Sequence, residues 1–414
     1  MNILCADIGT SSLKAAVINE EGNVLAYERK PFLLYRTLHA SKEWLPSLQN
    51  AMATIFAVNP SLKIDGICIS GNGPSLVAPG GETYLWNEET DRTVSYAGTS
   101  FFIPRLLSLK KKNPELWEKS ETIFSGPEYL IYLLTQKKCT VLPSKRFYDF
   151  YWTDDELYSA GFNQYECRKL PDFIFSGNLA GTLDRKSESF LNFEANGVKE
   201  GMPVYAGAPD FISALIGTST LSKGKLCDRA GSSEGINFCT DVKINEKGLR
   251  TMPSIIDGLW NVSVLINESG SRFYDFKQKA ERENGTEYDF HELVKNCLES
   301  RGNNATFEQG KLIMTEAAEL VKDAVFLLKN AAGFQETEVV VPDTMVITGG
   351  QSANDLWVQY KADITGMKIE VPECADAELM GDAVLAFKGA GLYSSVTEGA
   401  EKMCRIRKTF IPQE

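Results

Sequence analysis

Histidine is nearly missing from this sequence. His39 and His291 are the only two in 414 residues, which argues against a histidine-centred metal site and against a Ser-His-Asp triad. The nine cysteines never form a Cys-x-x-Cys pair, so neither a zinc cage nor a disulfide framework is expected. There is no G-x-x-x-x-G-K-[ST], which excludes a P-loop, and Gly71-Asn72-Gly73 lacks the third glycine of a dinucleotide fingerprint. No run approaches 18 consecutive apolar residues, so no membrane-spanning helix is expected. Basic residues are outnumbered, 43 to 55, for a net charge of −12, which argues against nucleic acid and against an anionic membrane surface as partners. Met1 to Ala6 reads as a strand rather than a leader. A reduced cytoplasm is therefore the expected compartment, and the Asn-x-Ser/Thr matches at Asn261, Asn267, Asn284 and Asn304 are expected to carry no glycan.

What is present is an ordinary globular composition, 43% apolar and 24% charged, in a chain long enough for two cores. Asn2 to Tyr27 reads as three strands with a Gly22-Asn23 hairpin, and Ile64 to Ile69 as a buried strand ending in breakers. Ile103 to Lys112 and Tyr129 to Leu134 read as helices. Pro203 to Ala206 reads as a strand, with a helix from Phe211 to Ile216. A second cycle follows: strand Lys225 to Arg229, the turn Ala230 to Gly235, strand Ile236 to Cys239. It mirrors the opening, where strand Ile3 to Ala6 meets Asp7-Ile8-Gly9-Thr10-Ser11-Ser12. Alternating strands and helices give an α/β class with a pseudo-duplicated architecture. The boundary is placed in Gly217 to Lys223, giving domains 1–217 and 218–414. A long helix is expected from Phe307 to Ala332, with Gly333 at a C′ position of positive φ. A last strand, Met345 to Thr348, enters Gly349-Gly350 before a helix from Asn354 to Thr365.

Three turns carry chemistry suited to phosphate. In the first, glycine and successive N–H groups of the Asp7 to Ser12 turn can cradle an anion, Thr10 and Ser11 add hydroxyls, and Lys14 adds charge. Asp7 is a hard carboxylate able to hold Mg²⁺. Gly231-Ser232-Ser233 has the same chemistry. Gly349-Gly350-Gln351-Ser352-Ala353-Asn354 opens a helix, whose N-terminus favours a phosphate or nucleotide edge. Plain turns and helix entries explain each of these equally well when taken singly. Asp210, between a strand and a helix, fits either an N-cap or a base that accepts a hydroxyl proton.

These segments, in this order, resemble the FGGY carbohydrate kinases along nearly the whole chain. CADIGTSSLKAAVINEEGNVL is similar to the family's first phosphate hairpin, and ICISGNGPSLV falls where substrate-contacting residues follow a strand. PVYAGAPDFISALIGT resembles the segment with the catalytic aspartate, AGSSEGINF the second phosphate hairpin, and GGQSANDLWVQYKADITGMKIEVPE the adenosine motif. The resemblance implies two actin-like (ribonuclease H-like) ATPase domains with a nucleotide cleft between them, and transfer of phosphate from ATP to a small sugar or polyol. It makes Asp210 the general base and Asp7 the Mg²⁺-placing carboxylate. Thr10, Ser11, Lys14, Gly231 and Ser232 would line phosphates, while Gly270, Gly349, Gly350 and Asn354 would lie along the nucleoside.

The sugar half departs from the pattern. Asn72-Gly73-Pro74 stands where many members have Gln-Met-His or Gln-Arg-Glu, and Trp86-Asn87-Glu88-Glu89 echoes Trp-Asn-Asp-x-Arg with Arg92 displaced. Asn72, Gly73, Trp86 and Asp210 are the expected substrate positions, and a homodimer is compatible with the sequence. A non-catalytic sugar or nucleotide sensor, and an actin- or chaperone-like ATPase, are the alternatives on the same fold.

Overall fold

The computed structural model describes the chain apart from residues 36, 185–197, 303, 334–339 and 414. It divides into two compact units: Met1–Ser213 with Glu378–Met403, and Ala214–Ala377 with Cys404–Glu414. The sequence reading placed one division after residue 217, whereas these units are each made of two stretches of chain. A single cut cannot, however, express the return of Glu378–Met403 to the first unit.

The first unit is built on six strands: β1 (Asn2–Ile8), β2 (Ser12–Asn19), β3 (Val24–Pro31), β4 (Gly66–Gly71), β9 (Leu179–Thr182) and β10 (Pro203–Pro209). Between them in the chain come two short pairs, β5 (Leu76–Val77) with β6 (Thr83–Tyr84), and β7 (Thr140–Leu142) with β8 (Phe173–Phe175). The sheet order is β3-β2-β1-β4-β10-β9. β1 to β3 form an antiparallel meander, and β4 and β10 run parallel to β1. β1 is buried along almost its whole length, as a strand covered on both faces must be, whereas β3 at the edge alternates between exposed and half-buried residues. The helix Trp44–Val58 lays Trp44, Leu48, Ala51, Met52 and Ile55 into the core, a stripe at helical spacing. Gly22 closes the β2–β3 hairpin at φ +81°, where a Cβ would stand 2.5 Å from the Met403 carbonyl oxygen. Bulk and handedness together require glycine there.

The second unit repeats the plan with β11 (Leu226–Ala230), β12 (Glu234–Thr240), β13 (Arg250–Pro253), β14 (Trp260–Ile266), β15 (Thr344–Thr348), β16 (Lys368–Pro372) and β17 (Ile406–Phe410). Its order is β13-β14-β12-β11-β15-β16-β17. β11, β12 and β14 form the meander, and β15 and β16 run parallel beside β11. The shared order third-second-first-fourth-fifth turns the short repeat seen in the sequence into a duplicated topology. A satellite core holds Phe273, Phe276, Leu293, Val294, Met314 and Trp357. Gly366 ends the Asp355–Thr365 helix in the left-handed region, as its place in the sequence predicts. Gly333 differs from expectation. It lies inside the Ala305–Gly333 helix without positive φ, and the residues after it lie outside those described.

Candidate active site

In the first unit three parallel strands end level with one another. Asp7 is paired with Ser70 across β1 and β4, and Gly71 with Pro209 across β4 and β10. Asp7 therefore reaches the same sheet end as Asp210, where open α/β sheets place their ligands. Asp7 is buried, with Lys14 Nζ 4.0 Å from its Oδ2 and Ser70 Oγ 3.5 Å from its Oδ1. Lys14 also stands 3.8 Å from Glu378. Asp210 begins the Asp210–Gly217 helix half-buried, and its Oδ1 accepts the Phe211 N–H at 2.6 Å. That local bond marks the helix start, where the Asp210 carboxylate is only half-buried.

Thr10 gathers the residues read as sugar-facing. Its hydroxyl accepts from the Trp86 indole N–H at 3.2 Å and from the Asn72 amide at 3.4 Å. Ser11 is exposed at the turn, and its carbonyl accepts the Phe32 N–H. The Trp86 loop is held by Arg105, whose guanidinium donates to the carbonyls of Leu85, Trp86 and Glu88. Arg92, the sequence candidate for a loop arginine, instead makes an exposed pair with Glu89.

The sequence reading missed Asp382. Its Oδ2 accepts from Ser70 Oγ at 2.5 Å and its Oδ1 from Ser213 Oγ at 2.8 Å, so Ser70 links it to Asp7. Burial pushes the Asp382 carboxyl well above the ordinary carboxylate range, and the nearby charge of Asp7 adds to the rise. Burial and the neighbouring carboxylate thus both favour the neutral form of Asp382. An acid within the apolar run Ala377 to Phe387 was the available signal.

In the second unit the predicted segments converge. The Gly270 and Ser271 N–H groups donate to the Ser232 carbonyl at 3.0 and 3.1 Å. A Cβ on Gly270 would lie 2.1 Å from the Gly231 carbonyl oxygen. Gly349, at φ +93°, packs against the Ala230 carbonyl, where a Cβ would come within 2.7 Å. The Gly350 Cβ position, by contrast, meets no atom within 4 Å, so this residue presents open backbone. Asn354 caps the Asp355–Thr365 helix, its Oδ1 accepting from Leu356 and Trp357, which commits that oxygen to the helix.

Beneath these turns lies a buried ionic triad that the sequence reading also missed. Lys361 Nζ stands 2.8 Å from Asp228 Oδ2 and 3.0 Å from Glu234 Oε2, with all three side chains inaccessible. Glu234 Oε1 also accepts from Ser269 Oγ at 2.7 Å and from the Gln351 amide. Burial works against the Lys361 ammonium, but the two carboxylates outweigh it and hold its pKa above the ordinary value. Burial and the charge of Glu234 push Asp228 up to about 7. Trp357, Val358, Lys361 and Ala362 share the buried face of their helix, so a lysine on that stripe was a readable anomaly.

A ribonuclease H-like fold present twice, with a Gly-Ser/Thr turn after the first strand of each copy, defines the actin-like ATPase class. Residues 311–390 match the C-terminal domain of the FGGY family of carbohydrate kinases. The xylulose kinase of Bacillus subtilis is 22% identical over 99% of this chain and 93% of its own length. The autoinducer-2 kinase of Escherichia coli is 23% identical over 75% of this chain and 65% of its own. Among solved structures, the xylulose kinase from Rhodospirillum rubrum superposes with a TM-score of 0.75 at 15% identity, covering 100% of this chain and 94% of that one. The Plasmodium falciparum glycerol kinase with ADP gives 0.74 at 17% identity, over 100% and 94%. The chain is thus similar over nearly its whole length to carbohydrate kinases, and residues 311–390 to the C-terminal domain of the FGGY family of those enzymes. Among the described residues no helix is long and apolar enough to cross a membrane.

Two outcomes follow from the buried charges. Lys361→Met leaves Asp228 and Glu234 without their counter-ion and should cost about 3–5 kcal/mol in urea unfolding at pH 7. Neutralising the partners as well, with Asp228→Asn and Glu234→Gln, should recover most of that loss. The second concerns Glu128, which burial pushes from an ordinary 4.5 up to about 7. Between those pH values the folded chain binds more protons than the unfolded chain, so stability falls as pH rises from about 4.5 to about 7, then levels off. At ~1.4 kcal/mol per pH unit the fall is about 3 kcal/mol. Glu128→Gln should remove that portion of the slope, read as the difference between the melting curves of the two proteins from pH 4.5 to 8.

Proposed function

We propose that this enzyme uses ATP to phosphorylate a hydroxyl of a small sugar or polyol, with Asp210 as general base. The observation that carries the reading is the level ending of β1, β4 and β10, which brings Asp7 and Asp210 to one sheet end with Ser70 and Gly71 between. Asp210 would accept the proton of the attacking hydroxyl, a role that its partly exposed place at a helix start allows. Thr10, Ser11 and the N–H groups of their turn would hold phosphate oxygens, and Lys14 would neutralise their charge. Asp7 fits Mg²⁺, being a hard carboxylate with a hydroxyl and an ammonium group beside it. When bound, that ion would neutralise charge on the β- and γ-phosphates. In the second unit the Gly231-Ser232 turn would hold phosphate, and the open backbone at Gly349-Gly350 would lie along the nucleoside, with Gly270 and Asn354 shaping its surroundings. Asn72, Gly73 and Trp86 would face the acceptor. The names of the relatives, a xylulose kinase and an autoinducer-2 kinase, support small hydroxylated acceptors as a class.

Asp210→Asn keeps an oxygen for the Phe211 N–H but cannot take a proton. Phosphorylation should fall by ~10²-fold or more, with ATP affinity and melting temperature nearly unchanged. A folded, ATP-binding variant with wild-type turnover would remove Asp210 from the mechanism. Wild-type protein that binds ATP and polyol without turnover would favour a sensor. Gly350→Val should fold normally, because its Cβ points into open space, yet lose ATP binding by ~10-fold or more where backbone approach is needed. Calorimetric titration with ATP checks it, and undiminished affinity would refute the assignment.

A further inference from the structure

Asp382 is fully buried on the Ala377–Gly389 helix, in the part of that helix that belongs to the first unit. A carboxyl group is seldom taken wholly out of water unless it is bonded, and this one is bonded twice. Its Oδ2 accepts from Ser70 Oγ at 2.5 Å and its Oδ1 from Ser213 Oγ at 2.8 Å. Both serines are buried, and each is tied to one carboxylate of the proposed chemistry. Ser70 on β4 is the register partner of Asp7 on β1, and its Oγ lies 3.5 Å from Asp7 Oδ1. Ser213 follows Asp210 by three residues, about one turn along the Asp210–Gly217 helix.

Close backbone packing runs along the same route. A Cβ on Gly381 would lie 1.9 Å from the Ser213 carbonyl oxygen. One on Gly207 would lie 2.5 Å from the Ile69 carbonyl oxygen and 2.9 Å from Ser70 Cβ. The helix that carries Asp382 is therefore pressed backbone to backbone on the helix that Asp210 opens, and β10, which leads into Asp210, is pressed on β4. An interior packed this densely transmits a shift instead of absorbing it. We propose that Asp382 is a positioning residue: by holding Ser70 and Ser213 at once, it fixes the Asp210 helix relative to the strand end that carries Asp7. Being fully buried, it acts through these neighbours and not on ATP or acceptor directly. The inference rests on the proposed kinase reading and extends it from the reacting groups to what aims them.

The test measures kcat, KM for ATP and melting temperature, with the best acceptor among glycerol, xylitol and D-xylulose. Asp382→Leu fills a similar space but bonds neither serine. Its kcat should fall by ~10-fold or more with KM for ATP within ~2-fold of wild type, because alignment for the transition state is lost and nucleotide binding is not. Asp382→Asn keeps an oxygen for one serine and an amide for the other, and should bring kcat back to within ~3-fold of wild type. Ser213→Ala removes a single oxygen and leaves a good helix former, so it decides the matter even if Asp382→Leu fails to fold. It should lower kcat by ~5-fold or more, again at constant KM for ATP. The two losses should not multiply, since both variants cut one link: the double variant should be no slower than Asp382→Leu alone. Folded Asp382→Leu and Ser213→Ala proteins with wild-type kcat would overturn the positioning role and leave the kinase reading intact. Losses that multiply, or a KM for ATP that rises as much as kcat falls, would mark general loosening and would also overturn it. If the wild-type protein binds ATP but phosphorylates no acceptor of the panel, the kinase reading fails and the positioning role falls with it.

Discussion

The second unit depends on one buried ammonium. Lys361 is inaccessible to water and is bracketed by Asp228 on β11 and Glu234 on β12. Removing three charges from water is costly, and mutual attraction repays it only where geometry and further hydrogen bonds are good. Here they are supplied by Ser269 and Gln351, both bonded to Glu234. The consequence is positional. One carboxylate joins the strand after the Gly231-Ser232 turn, the start of the Ser269–Asn284 helix, and the turn that follows Gly349-Gly350. The three segments that would meet a nucleotide are therefore held from below by a single polar hub. A hydrophobic substitute would fill the space but would not tie those segments to one another.

The first unit solves a related problem with neutral hydroxyls. Asp7 and Asp382 are both buried and lie on either side of Ser70. Two carboxylates at that spacing would repel, and burial settles the conflict by pushing Asp382 well above the ordinary range. Lys14, beside Asp7 and Glu378, adds the compensating positive charge. The result is a cluster at the end of β1 whose carboxyl groups are joined through Ser70, with Ser213 holding Asp382 from the other side.

The departures from the family pattern on the sugar side acquire a physical meaning. Asn72 and Trp86 both turn to the Thr10 hydroxyl, so residues that stand where acceptor contacts are expected also brace the turn between β1 and β2. Arg105 takes over the loop that the displaced Arg92 leaves, capturing three carbonyls from inside the fold.

Much of the scaffold was readable beforehand because it depends on local rules. Buried strand runs, the Gly22 hairpin, the Gly366 helix stop and the Gly-Ser/Thr turns are set by backbone sterics and by residues a few places apart. Asp7, Lys14, Asp210 and the glycines of the second unit could be proposed as candidates for the same reason. Other features required the tertiary structure, because their partners are far apart in sequence: Ser70 with Asp382, and Lys361 with Asp228. The return of Glu378–Met403 to the first unit belongs with them. A buried charge is legible in sequence only as an oddity on an apolar face. Whether it is paired, neutralised or left open to a ligand is decided by which distant segment the fold sets against it.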